Sequence, residues 1–264
     1  MQSRRSRMNK PVVITRPLAQ AGPLAQQVAA LGRTAVIFPL LEIHPLPDTA
    51  ALQSVLADLT QFSMVAFVSP NAIHAAFAYL PQWPSGVAIA VVGEGSRAAL
   101  AEHGVSDANA TIYCPRDPLR TDSQTLLEVL DIAALRGRQV LIVRGESGRE
   151  LLSDALRQNG VSVTQVAAYR RTGPELSASV LGRLQTLLDV ECDWIITSSE
   201  ALRILLAMVE RIAGTDGVVK MRQQHLIVPH SRIAAVAEDL YFNNVSLTGS
   251  GDERLLAALQ SSHE

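Results

Sequence analysis

The chain has 264 residues, 48% of them hydrophobic and 18% charged, a core-forming composition that excludes a disordered protein. Its formal net charge of −2 offers no global field to draw in nucleic acid, so an anionic ligand has to be met by local groups. The two cysteines, Cys114 and Cys192, lie far apart in no metal or disulfide pattern, and fit ordinary thiols in a reducing cytoplasm.

The chain opens with the basic stretch MQSRRSRMNK, followed only by the short apolar run from Pro11 to Thr15. That pattern predicts neither a signal peptide nor a membrane anchor, but a frayed leader in which Met8 is an alternative start. No apolar run reaches the length of a membrane span, so a cytoplasmic protein is expected. Short β-branched runs then alternate with amphipathic segments, which predicts parallel sheets with helices on both faces. Strands are expected at Val12–Thr15, Ala35–Pro39, Met64–Val68, Val87–Val92 and Thr111–Tyr113. The second half adds Gln139–Val143, Val161–Val166, Trp194–Thr197, Leu226–Val228 and Val245–Leu247. The clearest helix carries Leu24, Val28 and Leu31 on one face and ends at Gly32, a good C-terminal cap.

So many strands suggest duplication, and the chain carries one. VVITRPLAQAGPLAQQVAALGRTAVIFPL aligns without gaps on VLIVRGESGRELLSDALRQNGVSVTQVAA. Arg16 falls on Arg144, Leu24 on Leu152, Val28 on Leu156 and Gly32 on Gly160, each 128 positions on. VSPNAI then matches TSSEAL, with Ser69 and Ser198 separated by 129, and VVGEGSRAAL matches IVPHSRIAAV at about 136. Between these units lie FPLLEIHPLPD and TQVAAYRRTGPE, both extended and proline-marked. Side by side they would form a connector, making the middle of the chain one domain and joining the two ends into another. Two sequential domains are the alternative from pattern alone.

The junction QVLIVRGESGRELL asks which anion it serves. A nucleotide P-loop needs G-x-x-x-x-G-K-[ST], and the dinucleotide fingerprint needs G-x-G-x-x-G; neither is present. VGEGSRAA offers Gly93 and Gly95 but Ala98 in the third place, a weak match. What recurs is strand, small or hydroxyl residue, helix start: Ser69-Pro70-Asn71, Gly93 to Ser96, Gly145 to Ser147, Ser198-Ser199 and His230-Ser231. Ligands of open α/β sheets bind at that edge, and free N–H groups with the helix dipole suit carboxylates there. Arg16, Arg144 and Arg149 add fixed positive charge able to hold a carboxylate in two-pronged fashion. No histidine spacing suggests a metal, and no G-x-S-x-G elbow suggests a hydrolase.

In their order and spacing, VVITRP, FPL, VAFVSPNAI, AVVGEGSRAAL, VLIVRGESGREL, VAAYRRT, WIITSSEAL and VPHSRIAA resemble the uroporphyrinogen-III synthase family over nearly the whole chain. The resemblance implies an α/β fold of two flavodoxin-like parallel-sheet domains on a two-stranded connector, with a discontinuous first domain. On that reading, residues 1–38 with 172–264 make domain 1 and residues 39–171 make domain 2. It implies a lyase of haem biosynthesis that works without metal or organic cofactor, and with no obvious dimer surface in the sequence a monomer is expected. The substrate would be hydroxymethylbilane, a linear tetrapyrrole with eight carboxylates, which loses water and closes with ring D inverted through a spiro intermediate. A transient contact with the preceding pathway enzyme, and none with nucleic acid or membrane, goes with it. Tyr169 matches the tyrosine suspected in the family of protonating the leaving hydroxyl, and a phenol stays protonated at neutral pH. Substrate contacts are expected from Arg16, Ser69, Asn71, Ser96, Arg144, Gly145, Arg149, Ser198, Ser199, Ser231 and Arg232. Pro229 and Arg232 depart from the family pattern, which commonly has glycine and a small or hydroxyl residue there. A non-catalytic two-domain protein closing on an acidic small molecule is the rival, and tandem receiver domains a weaker one for want of a phosphoacceptor aspartate.

Overall fold

The fold is that of a computed structural model describing residues 10–117 and 122–261; the basic leader and the alternative start at Met8 lie outside the described residues. In chain order the first elements are β1 (Val12–Ile14), α1 (Leu18–Ala30), β2 (Ala35–Ile37), β3 (Glu42–Pro45), α2 (Ala50–Leu56), β4 (Met64–Phe67), α3 (Pro70–Phe77) and β5 (Ala88–Val91). Then come α4 (Glu94–Glu102), β6 (Ile112–Tyr113), α5 (Ser123–Val129), α6 (Ile132–Leu135), β7 (Gln139–Gly145), α7 (Leu151–Gln158) and β8 (Ser162–Thr172). The last are α8 (Ala178–Leu188), β9 (Asp193–Ile195), α9 (Ser199–Gln223), β10 (His225–Val228), α10 (Ser231–Asp239), β11 (Val245–Leu247) and α11 (Asp252–Ser261).

These elements divide into two units, Met1–Glu42 with Thr172–Glu264, and Ile43–Arg171. The first holds a sheet in the order β11-β10-β9-β1-β2, in which each strand runs parallel to its neighbours. Along β1, Val13 faces one core with Trp194 and Leu226, while Val12 and Ile14 face another with Ile195 and Ile227. Helices α8, α9 and α10 cover the first face through Leu184, Leu205 and Ile233, and α1 and α11 the second through Leu24, Val28 and Leu255. The second unit repeats this design in the order β3-β8-β7-β4-β5-β6. Val65, Phe67, Leu141 and Val143 face α3 and α4; Met64, Ala66, Val140 and Ile142 face α5 and α7. Each unit is therefore a three-layer α/β sandwich.

The sequence repeat is a structural one. Val12 pairs with Ala35 in the first unit, and 128 positions on, Val140 pairs with Val163 in the second. The N–H of Arg33 closes on Val28 and that of Val161 on Leu156, each after a left-handed glycine, Gly32 or Gly160. Val12 pairs with Asp193 as Val140 pairs with Met64, so β9 answers to β4 at a separation of 129. The pairings of β4 with β5 and β9 with β10 put the third match at 137, one beyond the sequence alignment. Ser231 therefore stands where Glu94 does, and not at the place of Gly95, where an offset of 136 puts it. Numbered by chain order within each unit, the strands run 2-1-3-4-5 in the first and, with the edge strand β3 set aside, 3-2-1-4-5 in the second. Both are doubly wound arrangements, related by a circular permutation of the same repeat.

Two strands exceed the sequence expectation. β3 forms inside the extended FPLLEIHPLPD segment and flanks β8 at the sheet edge, and β8 runs on to Thr172 instead of stopping at Val166. β3 is only partly buried, and the extension of β8 sets buried Ala168 and Tyr169 among half-buried neighbours, so no sustained apolar alternation marks either. β8 is also bulged: Arg144 sits opposite Ala167 but Gly145 opposite Tyr169, which breaks its period of two.

Candidate active site

In a doubly wound sheet the strand order reverses at one place, and the loops leaving the carboxyl ends of the two strands there diverge and leave a crevice. In the second unit that place lies between β4 and β7. Ser69 follows β4, Gly145 ends β7, and Tyr169 stands on the neighbouring β8. The bulge turns Tyr169 toward the same core as Val166 and Ala168, which unbroken alternation would not do. Its ring then crosses the end of β7 at the one residue without a side chain: a Cβ built on Gly145 would lie 3.0 Å from Tyr169 Cζ and 3.2 Å from its hydroxyl oxygen. The Glu146 N–H donates to the Tyr169 carbonyl at 2.8 Å, closing the strand end. Beyond the glycine, the Tyr169 hydroxyl meets Ser69 Oγ at 3.0 Å. Ser69 is also the N-cap of α3, accepting from the Ala72 N–H at 3.2 Å ahead of Pro70 at the first helical position. Tyr169 is 6% exposed and Ser69 half-buried, so the pair sits just beneath the surface.

The RGESGR loop is organised from within. Arg144 is 9% exposed, and its Nη1 donates to Gln165 at 2.6 Å and pairs with Glu150. Hydrogen bonds from Gln165, Ser153 and Arg144 pull the Glu150 carboxyl down to about 2. Arg171 Nη2 donates to the Ser147 carbonyl at 3.0 Å, holding the loop from the side of β8. Arg149 is exposed. Asn71, second in α3, is half-buried, and Ser96, third in α4, is buried.

In the first unit the order reverses between β1 and β9. Arg16 follows β1 and forms an ion pair with Asp252 at 2.7 Å, while Thr15 Oγ1 donates to the Ile195 carbonyl at 2.8 Å across the two strands. Ser198 caps α9, accepting from the Glu200 and Ala201 N–H groups at 3.2 and 3.4 Å. Ser199 beside it is 6% exposed, and its Oγ is one of the buried side-chain polar atoms among the described residues that have no hydrogen-bond partner. Ser231 and Arg232 begin α10 and are exposed. Thus Ser69, Gly145 and Tyr169 meet directly; Arg16, Ser198 and Ser199 share the equivalent edge of the other unit; Ser231 and Arg232 stand one strand further out. Among the described residues no cluster of histidine, cysteine or acidic side chains could hold a metal, and no helix is long and apolar enough to cross a membrane.

Glu150, Gln165 and Arg171 shape the loop and were not singled out from sequence. The basic pair after Tyr169 was the visible signal for Arg171; nothing local marks Gln165, which reaches Arg144 from the adjacent strand.

Residues 22–248 match the family model described as "Uroporphyrinogen-III synthase HemD". The chain is 31% identical over 259 residues to the uroporphyrinogen-III synthase of Salmonella typhimurium, covering 94% of this chain and 99% of that one. It is 29% identical to that of Escherichia coli over the same shares. Among solved structures, a mutant uroporphyrinogen III synthase from Thermus thermophilus superposes with a TM-score of 0.63 at 13% identity, covering 96% of this chain and 98% of that one. The Helicobacter pylori enzyme gives 0.60 at 14%, over 96% and 99%; both likenesses concern the fold.

Proposed function

The chain belongs to the uroporphyrinogen-III synthase family, and on that premise we propose how its residues make uroporphyrinogen III in tetrapyrrole synthesis. The reaction is a lyase reaction on hydroxymethylbilane: the terminal hydroxyl leaves as water, the azafulvene cation is attacked by ring D, and ring D recloses inverted. The observation that carries the catalytic assignment is the Tyr169 hydroxyl, seated against Ser69 at the switch point of the second sheet. Departure of hydroxide from carbon is slow unless a proton arrives with it, and a phenol held in place can supply that proton and recover it afterwards. The rest of the task is to hold a flexible, many-charged chain near its closed shape, which lowers the barrier by orientation. The helix start capped by Ser198, and the unpartnered Ser199 hydroxyl, suit substrate carboxylates. Of the two arginines in the RGESGR loop, exposed Arg149 reaches for a carboxylate while Arg144 spends its charge on the loop itself.

The test is the isomer formed. Hydroxymethylbilane incubated with the pure protein is expected to give the type III ring, resolved from type I by chromatography. Type I alone, as in a protein-free control, would overturn the assignment.

A further inference from the structure

We infer that Ser69 is a positioning residue for Tyr169, using the start of helix α3 to aim the phenolic proton and to stabilise the oxygen that loses it. This inference rests on the acid role proposed for Tyr169.

The argument is one of hydrogens and lone pairs. A serine hydroxyl has one hydrogen to give and two lone pairs to offer. Ser69 Oγ already accepts the Ala72 N–H, one of the donors that a helix start leaves without an intrahelical partner. With a lone pair engaged by the positive end of α3, the hydroxyl hydrogen is left for the other neighbour, the Tyr169 oxygen at 3.0 Å. If Ser69 donates in that contact, Tyr169 does not, and its own proton is directed away from Ser69. Once Tyr169 gives up that proton, the same Ser69 hydroxyl donates to a phenolate. Such a charge-assisted bond is shorter and stronger than the neutral one it replaces. The stabilisation therefore grows as the proton leaves, which is what a rate effect requires.

The duplicated unit serves as an internal control. Ser198 occupies the place of Ser69 and caps its helix the same way, through Glu200 and Ala201. Yet 128 positions before Tyr169 stands Leu41, a core residue without a proton to give. The serine cap is general to the fold; its contact with a phenol belongs to the second unit. Gly145 is what permits it, since the ring reaches Ser69 only by passing where a Cβ would stand.

A double-mutant cycle separates this from a plain capping role. Ser69→Ala, Ser69→Thr, Tyr169→Phe and Ser69→Ala with Tyr169→Phe are compared in single turnovers at saturating hydroxymethylbilane, with KM and thermal midpoints alongside. Ser69→Ala is expected to slow the step about three- to tenfold, the size of one neutral hydrogen bond, with KM unchanged. Threonine keeps both hydroxyl and cap, and is expected to restore most of the rate. In the Phe background the alanine change is expected to cost stability but no further rate. An equal slowing in both backgrounds, or a loss confined to KM, would overturn the inference. Tyr169→Phe at the wild-type rate would remove the acid role itself, a failure seen in that single variant and so distinct from the other.

Discussion

Tyr169 and Gly145 make one device, and their substitutions are expected to fail differently. Tyr169→Phe keeps the ring in its core and removes the donor, while Ser69 retains the Ala72 N–H. Stability is expected to fall by about 0.5–1.5 kcal/mol and the single-turnover rate by about 10²-fold, the low end for a general acid, because this substrate ionises readily. An unchanged rate would leave Tyr169 a packing residue. Gly145→Ala keeps every polar group but places a methyl 3.0 Å from a ring that is 6% exposed and has little room to retreat. The expected cost is about 1–3 kcal/mol of overpacking, together with a rate loss as the hydroxyl is levered off Ser69. Full activity with a lowered thermal midpoint would refute the linkage between the two. Each of these residues was visible in a quoted motif, VSPNAI, RGESGR or VAAYRRT. Their meeting was not, because Ser69 and Tyr169 are 100 residues apart and the contact depends on a bulge that no periodicity announces. The engagement of Arg144 by Gln165 was hidden for the same reason: a strand-end arginine looks alike in sequence whether it faces a ligand or a neighbouring strand.

The strands of the first sheet are pinned together at their amino ends, opposite the edge that carries the candidate residues Arg16, Ser198 and Ser199. Asp193 opens β9 and is 6% exposed; Arg33 donates to its Oδ2 at 2.6 Å, and His225 Nδ1 meets its Oδ1 at 2.7 Å. His225 Nε2 continues to Ser246 Oγ at 2.9 Å, so one carboxylate links the end of the α1–β2 loop with β9, β10 and β11. Burial pushes the Asp193 carboxyl up, but hydrogen bonds and charge from His225 and Arg33 outweigh it and hold the group below its ordinary range. A carboxyl depressed in the folded state contributes stability that is present above its unfolded value, near 3.9, and is lost as pH falls through the folded value. Acidification below about pH 4 is therefore expected to weaken the wild type more than Asp193→Asn. At neutral pH the variant is expected to be less stable by about 3 kcal/mol, because it leaves Arg33 buried without its anion. Urea unfolding of both proteins from pH 7 to pH 3 checks this: parallel curves would refute the pH dependence, and superimposed ones would show that the carboxylate contributes nothing. The strands themselves were legible from their apolar runs; this link was not, since an aspartate beside a tryptophan gives no hint of an arginine 160 positions earlier.

At the scale of the whole molecule, the constant spacing of the repeat was readable, whereas the regrouping of its halves depends on strand pairing. β1 pairs with β9, so the ends of the chain complete one sheet while the second half of one repeat and the first half of the next complete the other. Among the described residues, the core clusters of the second unit draw on residues 43–169, and those of the first on the two flanking segments. An excised Ile43–Arg171 would keep both faces of its sheet covered, all of β4 to β7, β8 up to Arg171, and all but Glu42 of the edge strand β3. Its length is that of an ordinary domain, with enough apolar burial to fold unaided. It is expected to unfold cooperatively, with near-ultraviolet circular dichroism showing ordered aromatic packing around Phe67, Phe77 and Trp83. The fragment also keeps the Ser69–Tyr169 pair, yet loses Arg16, Ser198 and Ser199. If orientation by the first unit supplies most of the rate, the fragment is expected to fold and yet give only the type I ring that forms spontaneously. A molten, non-cooperative fragment would show that the second unit leans on the first for stability. A folded fragment that still makes the type III isomer would show that the first unit is dispensable for inverting ring D.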